Sequence, residues 1–170
     1  MNKPAAGEYN PYFSTYIDLI KEGSIETFFP ANTETILDFF SSLPSEKADY
    51  RYAEGKWNFR EILMHIIDVE RVMSYRALAA SRGDVSPLPT MDDQLYLRSS
   101  NIEKKTMEYL LDEFSATRNS TVILFEMMTD EQSSRAGNAG SHPITARALA
   151  CIILGRPLHH INIIKERYLK

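Results

Sequence analysis

Three of the four histidines in this chain lie in stretches whose apolar residues recur with a helical period. His65 is at the edge of one apolar stripe, and the adjacent His159 and His160 are on another stripe near the C-terminus. A neutral imidazole is a common ligand for metal ions and also serves as a general acid or base. These three positions are therefore the first candidates for chemistry, whereas His142 follows a Gly-rich loop and is expected to be exposed and inert.

Each of these histidines, taken alone, has an ordinary structural interpretation. A single histidine on an apolar face is more often a hydrogen-bonded core residue than a ligand, and this applies to His65. Adjacent residues differ by about 100° around a helix, so only one of His159 and His160 is expected to face the interior. The combination is more informative, because it predicts that His65 and His160 face each other between two helices.

Arg156 is on the same stripe as His160, at a position where the helical period calls for an apolar residue. A guanidinium cannot stay buried without a partner, because burying an isolated charge costs several kcal/mol or more. We therefore expect Arg156 to contact carboxylates or an anionic ligand. Glu61 and Asp68 share a helix side with His65 and are the nearest candidates by pattern. The predicted pocket thus contains Arg156, His159, Asp68 and Glu61 beside the paired histidines.

Helical periodicity predicts four long helices and no convincing strand. Asn58, with Glu61 three residues later, has a capping-box pattern at the start of the second helix, and Trp57 is expected to pack into the end of the bundle. Pro30 is expected to separate the first turns of the first helix, and Pro157 to kink or loosen the fourth. The predicted ranges are 24–43, 58–82, 102–128 and 144–170, preceded by a short packing helix.

The connection between the second and third helices, residues 83–101, is too long for a tight antiparallel hairpin. It carries Pro87, Pro89 and the acidic pair of Asp92 and Asp93. A connection of this length suggests a crossover that leaves the two helices roughly parallel. Long connections in compact domains often cover binding sites, so this one is a candidate lid. The sequence therefore predicts one all-α domain over residues 1–170, a four-helix bundle.

The composition excludes several classes of protein. The formal net charge is −4 and the basic residues are scattered among acidic ones, which argues against nucleic acid as a partner. No apolar stretch reaches the ~18 residues that would span a bilayer, and the N-terminus lacks the apolar core of a signal peptide. We therefore expect a soluble cytoplasmic protein without membrane contact. The single cysteine, Cys151, excludes an intramolecular disulfide and is expected to be a small buried hydrophobe.

Several motifs together resemble the DinB/YfiT-like family, over most of the chain from about residue 24 to residue 168. They are YAEGKWN at 52–58, HIIDVER at 65–71, YRAL at 75–78, RGD at 82–84 and HHINIIKERY at 159–168. The resemblance implies a four-helix bundle of up-down-down-up topology. It also implies a divalent metal, typically nickel, zinc or iron, held by three histidines. One comes from the second helix and two from a His-x-x-x-His motif on the fourth.

Carried over by position, the resemblance makes His65 and His160 metal ligands, whereas Arg156 stands where the family has the first histidine of the fourth-helix motif. A catalytic zinc-like site normally has three protein ligands and an open position. Members of the family include thiol-dependent S-transferases and isomerases, which implies a small-molecule substrate or thiol as partner. The family often dimerises, which implies a possible homodimer, and Tyr12, Phe13 and Tyr16 suit an interface and the core equally.

Two functional hypotheses follow. In the first, the protein is a metal-dependent transferase or hydrolase, with the ion bound by His65, His160 and either His159 or a carboxylate, Asp68 or Glu61; the ion activates a thiol or water. In the second, it is a metal-free relative whose pocket, lined by Arg156, His65 and His160, binds a small anion or has only a structural role. The intact residues around the ligand positions favour the first hypothesis, and Arg156 favours the second.

Overall fold

The chain is mostly helical, and four long helices form its body. It is described here from a computed structural model that covers residues 1–140 and 142–170. Single 3-10 turns lie at Pro11–Phe13, Ile25–Phe28, Ser45–Lys47 and Ile102–Lys104. The α-helices are α1 (Ser14–Ile17), α2 (Phe29–Ser41), α3 (Phe59–Ser81), α4 (Asp93–Arg98), α5 (Met107–Glu126), α6 (Asp130–Ser134) and α7 (Ala146–Arg167). The predicted all-α four-helix bundle is confirmed, with α2, α3, α5 and α7 as its members.

The ends of the long helices follow from local chemistry. The Asn58 side chain accepts a hydrogen bond from the Glu61 backbone N–H, and the Glu61 carboxylate accepts one from the Asn58 N–H, so the predicted capping box is present. Thr106 and Thr145 cap α5 and α7 in the same way, by accepting from the N3 backbone N–H. The helix α7 continues through Pro157, so this residue does not end it.

Contacts between side chains give the direction of each helix relative to its neighbours. Glu70 of α3 pairs with Arg118 of α5, and one turn further Ser74 meets Thr121, so these helices run parallel. The long connection before α5 makes this possible. In contrast, α3 and α7 run antiparallel. Phe59 and Tyr168 meet at one end, with ring centroids 5.3 Å apart, and His65 and His160 meet further in, with ring centroids 5.2 Å apart.

The segment between α3 and α5 is more ordered than the sequence suggested. It contains α4, and the Leu88 N–H donates to the Asn138 carbonyl at 2.8 Å. Asn138 belongs to a short antiparallel hairpin, β1 (Ala136–Asn138) with β2 (Pro143–Thr145), which the periodicity analysis did not predict. Strands of three residues are too short to show an alternating pattern. No helix in the described residues is both long and apolar enough to cross a membrane.

A buried polar network lies inside the bundle and contacts all four long helices. The Arg118 guanidinium of α5 is fully buried and donates from Nε and Nη2 to the two carboxylate oxygens of Glu70 on α3, both at 2.8 Å. Its Nη1 donates to Asn32 Oδ1 on α2 at 2.7 Å, and Asn32 Nδ2 donates to the Leu154 carbonyl of α7 at 3.1 Å. Phe29 and Phe114 lie beside the guanidinium.

The short helix α1 lies directly on α7 because one residue of α7 has no side chain. A Cβ added at Gly155 would be 2.1 Å from the Tyr16 carbonyl oxygen, far inside van der Waals contact. Gly155 therefore allows the N-terminal segment to approach the helix backbone. As a result, the buried Tyr16 side chain lies next to Arg156.

Removal of the Arg118 side chain should strongly destabilise the fold. Arg118→Met leaves Glu70 buried without its cation, and we expect a loss of ~3–5 kcal/mol in the free energy of unfolding measured with urea. The double variant Glu70→Leu/Arg118→Met should recover most of this loss, because no buried charge remains. Arg71→Met on the exposed surface serves as the control and should cost less than ~1 kcal/mol. A small effect of Arg118→Met would contradict the role of the network.

Gly155→Ala should also destabilise the protein. In an ordinary helix this change stabilises by ~1 kcal/mol, whereas here the new methyl group meets the Tyr16 backbone, and overpacking costs ~1–3 kcal/mol or more. The sign of the change in the free energy of unfolding therefore shows whether α1 packs directly on α7 at Gly155. A more stable variant would show that α1 does not approach α7 as described.

Candidate functional site

The two histidines expected to meet do lie together, between α3 and α7. The ring centroids of His65 and His160 are 5.2 Å apart, with the planes nearly perpendicular. The Trp57 ring covers the other side of His65, with a centroid distance of 4.6 Å, and packs against the cluster of buried residues at this end of the bundle. The prediction that Trp57 packs into the bundle end is therefore confirmed. The Tyr168 hydroxyl donates to the Trp57 carbonyl at 2.6 Å and holds this corner together.

Both imidazoles are uncharged at neutral pH. Burial is the main cause, and it lowers the pKa of His65 to about 2 and that of His160 to about 3. The positive charge of Arg156 is the second cause for both rings. A free imidazole with so low a pKa is a weak general base near pH 7, because efficient proton transfer needs a pKa close to the working pH.

Arg156 is half-buried one helical turn before His160, and no carboxylate of the described residues forms an ion pair with its guanidinium. Its Nε is buried and has no hydrogen-bond partner. Within the described part of the chain, no carboxylate oxygen lies within 4.0 Å of its nitrogens. The guanidinium carbon instead lies 5.0 Å from the centroid of the Tyr16 ring, an arrangement that favours the cation.

The structure does not bring the two expected carboxylates to Arg156. Glu61 forms a two-point ion pair with Arg51 and completes the cap of α3. Asp68 lies on a different side of α3, where Arg71 is 3.6 Å away, and lines a separate cavity with Lys105. Burial raises the pKa of Asp68 there. The sequence places both residues in the pocket because they share a helix side with His65. In the structure each carboxylate lies beside a nearer cation, Arg51 for Glu61 and Arg71 for Asp68.

Asp93 is the carboxylate that does reach the site, and it comes from the connection between α3 and α5. Its Oδ1 is 3.9 Å from His65 Nδ1, which is too long for a hydrogen bond, so the buried Nδ1 remains without a partner. The acidic pair in a candidate lid was the sequence signal for this residue. The connection therefore lies against His65 through Asp93, and its role as a lid stays a prediction.

The remaining histidines lie at the edge of the site or away from it. His159 is half-buried, with its ring 5.3 Å from that of Tyr16 and 5.7 Å from that of His160. Burial and the charge of Arg156 lower its pKa. His142 is exposed, as predicted, and its Nδ1 is 3.1 Å from Asn10 Nδ2; Ser141, which ends the Gly-rich loop before it, lies outside the described residues.

A cleft of about 250 Å³ opens beside His160. Its wall combines aromatic rings with polar side chains, and Gln94 of α4 lines it from the connection between α3 and α5. Surface clefts of this kind are candidate small-molecule sites. Its lining consists of Tyr52, Gly55, Lys56, Trp57, Ile62, Gln94, His160, Ile163 and Tyr168.

The side chains around His65 and His160 decide whether this site could hold a metal ion. Two neutral imidazoles are suitable ligands, but Arg156 stands where a third would be expected, and its charge opposes a cation. Of the residues that the structure describes, no three His, Cys, Asp or Glu side chains are grouped to hold an ion. Cys151 is fully buried elsewhere, and burial raises its pKa to about 12. The residues present therefore do not fit a three-ligand metal site.

Two solved structures are similar to this chain in fold. YfiT from Bacillus subtilis, described as a probable metal-dependent hydrolase with an unusual four-helix bundle topology, has a TM-score of 0.71 and 16% sequence identity, covering 98% of this chain and 91% of its own. The mycothiol-dependent maleylpyruvate isomerase has a TM-score of 0.67 and 10% identity, covering 81% of this chain and 58% of its own. At these identities the likeness shows the fold alone.

Sequence comparison identifies the family. Comparison with curated proteins gives no significant match. A profile of the DinB superfamily matches residues 29–164, which include the histidine pair, the helices α2, α3 and α5, and all but the last three residues of α7. This chain belongs to the DinB superfamily.

Proposed function

We propose that this protein binds a small organic anion at Arg156 and does so without a metal ion. The observation that supports the proposal is the Arg156 guanidinium, which has a buried Nε without a hydrogen-bond partner and no carboxylate within 4.0 Å in the described residues. Leaving a half-buried cation without a counter-charge costs free energy, and an anionic ligand would recover it. A carboxylate or phosphate oxygen suits the planar donor fork of arginine.

The neighbouring groups fit recognition of a ligand better than proton transfer. His65 and His160 are uncharged, so each ring can donate or accept a hydrogen bond. The positive charge that attracts the anion then comes from Arg156 and not from these rings. The aromatic wall of the cleft beside His160 would take the apolar part of the ligand. The ligand is thus a small molecule with an anionic end and an apolar or planar body.

A metal-dependent reaction is the second candidate, and the close pairing of His65 and His160 favours it. YfiT is described as a probable metal-dependent hydrolase, and the isomerase as mycothiol-dependent. On this alternative the chain would be a hydrolase or a thiol-dependent transferase whose third metal ligand is not Arg156. It is the weaker candidate, because a permanent cation occupies the place of that ligand.

Replacing Arg156 tests the proposed function directly. Trp57 is the only tryptophan and lies against His65, so its fluorescence reports on the site. We expect butyrate, a small monocarboxylate, to change this fluorescence saturably in the wild type. Arg156→Gln should weaken butyrate binding at least about tenfold, since a hydrogen bond to a charged group contributes ~1.5–3 kcal/mol.

Arg82→Gln is the matched control, because Arg82 is exposed at the end of α3 and should not affect the affinity for butyrate. Equal binding by wild type and Arg156→Gln would show that Arg156 is not the anchor. No saturable response to any small anion would contradict the proposed function itself.

Arg156→His should change the preference of the site from anions to metal ions. The variant would have three imidazoles where the wild type has two and a cation, so we expect its affinity for nickel or zinc to rise at least about tenfold. Calorimetric titration of both proteins with each metal measures this. Tight stoichiometric binding by the wild type, without a gain in the variant, would favour the metal-dependent alternative and reveal a different third ligand.

A further inference from the structure

Arg76 is a second half-buried arginine near the site that no carboxylate neutralises. Its Nε donates to the Pro89 carbonyl at 3.1 Å, and Nη2 donates to the same oxygen. Its Nη1 is 3.7 Å from the Met73 sulfur. In residues 1–140 and 142–170, no carboxylate oxygen lies within 4.0 Å of this guanidinium. A neutral carbonyl and a thioether satisfy its donors but leave its charge uncompensated.

The helix geometry directs Arg76 toward Arg156. Arg76 follows His65 by eleven residues, which is three turns within about 20°, so both are on one face of α3. Helical side chains lean toward the N-terminus of their helix, and the contact with Met73 shows that Arg76 does so. Arg156 is one turn before His160 on the antiparallel α7 and leans toward Met73 from the other direction.

The electrostatics agree with this convergence. Burial lowers the pKa of Arg76, and the positive charge of Arg156 is the next cause. Tyr96 of α4 acts on Arg76 in the opposite sense, so the lid lies close to this arginine. The like charges of Arg76 and Arg156 repel, and an anion between them would remove the repulsion.

Other partly buried arginines in the protein are neutralised, which makes this pair exceptional. Arg118 is paired with Glu70, Arg60 with Asp49, and Arg147 with Glu8. The fold thus supplies a carboxylate where an arginine serves packing. It supplies none for Arg76 and Arg156, the two that face the lid.

We infer that Arg76 and Arg156 together bind an oxyanion with two negative charges, either a phosphate monoester or a dicarboxylate. This inference rests on the proposed function and adds its ligand class. Arg156 anchors the first negative charge, and Arg76 is the residue that selects for the second. Pro89 and Tyr96 bring the lid to the same place, so the bound anion would be covered by the connection between α3 and α5.

Matched pairs of anions test the inference. Succinate and butyrate have the same chain length and differ in one carboxylate; methyl phosphate, a dianionic monoester, and dimethyl phosphate, a monoanion, differ in one methyl group and one negative charge. With Trp57 fluorescence as the signal, the wild type should bind the dianion of at least one pair about tenfold or more tighter than its monoanion. The pair with the larger ratio identifies the source of the anion, dicarboxylate or phosphate ester.

Arg76→Gln should remove this preference, so that the ratio of dianion to monoanion affinity falls toward one. Arg76→Lys should keep most of it, because it keeps the charge, whereas a role limited to anchoring Pro89 would not distinguish the anions. Arg82→Gln is the control on the same helix. Equal binding of dianions and monoanions by the wild type would overturn the inference while the anchoring role of Arg156 stands. If the wild type bound none of these anions, the result would instead count against the proposed function.

Discussion

The bundle depends on one buried ion pair, between Arg118 and Glu70. Burying these two charges is costly, and it is compensated only when every donor of the guanidinium has a partner. The carboxylate on α3 and Asn32 on α2 supply those partners, and Asn32 continues to the Leu154 carbonyl on α7. Because the acceptors come from different helices, the network restricts how these helices can slide or rotate relative to one another. That fixed arrangement sets where His65 and His160 meet.

The same rule explains why the pocket is a candidate for binding. A folded chain neutralises the charges it buries, as Arg118 shows, or retains an unpaired charge where something outside the chain will meet it. Arg76 and Arg156 are in the second situation, beneath a connection that contributes Pro89 and Asp93. Asp93 Oδ1 lies 3.9 Å from His65 Nδ1, and among the described residues no carboxylate oxygen lies within 4.0 Å of Arg76 or Arg156. On the proposed function, an anion bound between them would recover the free energy that their charges cost the empty protein.

The sequence predicted much of the fold because long amphipathic helices repeat one signal many times. The capping box at Asn58 and the meeting of His65 with His160 could be found in this way. The partners of the polar groups could not, because periodicity tells which side of a helix faces the core but not which residue of another helix lies opposite. By that rule Glu61 and Asp68 lie close to His65. The residues that do reach the site, Asp93 and Tyr16, come from short helices in which no apolar pattern repeats over several turns.

The position of Arg156 suggests how a site of this shape changes its chemistry with one residue. A metal ion and a guanidinium both offer positive charge to an anionic ligand. The ion also has open coordination positions, where it can lower the pKa of bound water and generate a nucleophile. A guanidinium has donors only and remains protonated, so it can hold an anion but cannot activate water. With Arg156 beside two uncharged imidazoles, the site offers positive charge to an anion without the open coordination positions of a metal ion, and for this reason we propose recognition of a small anion.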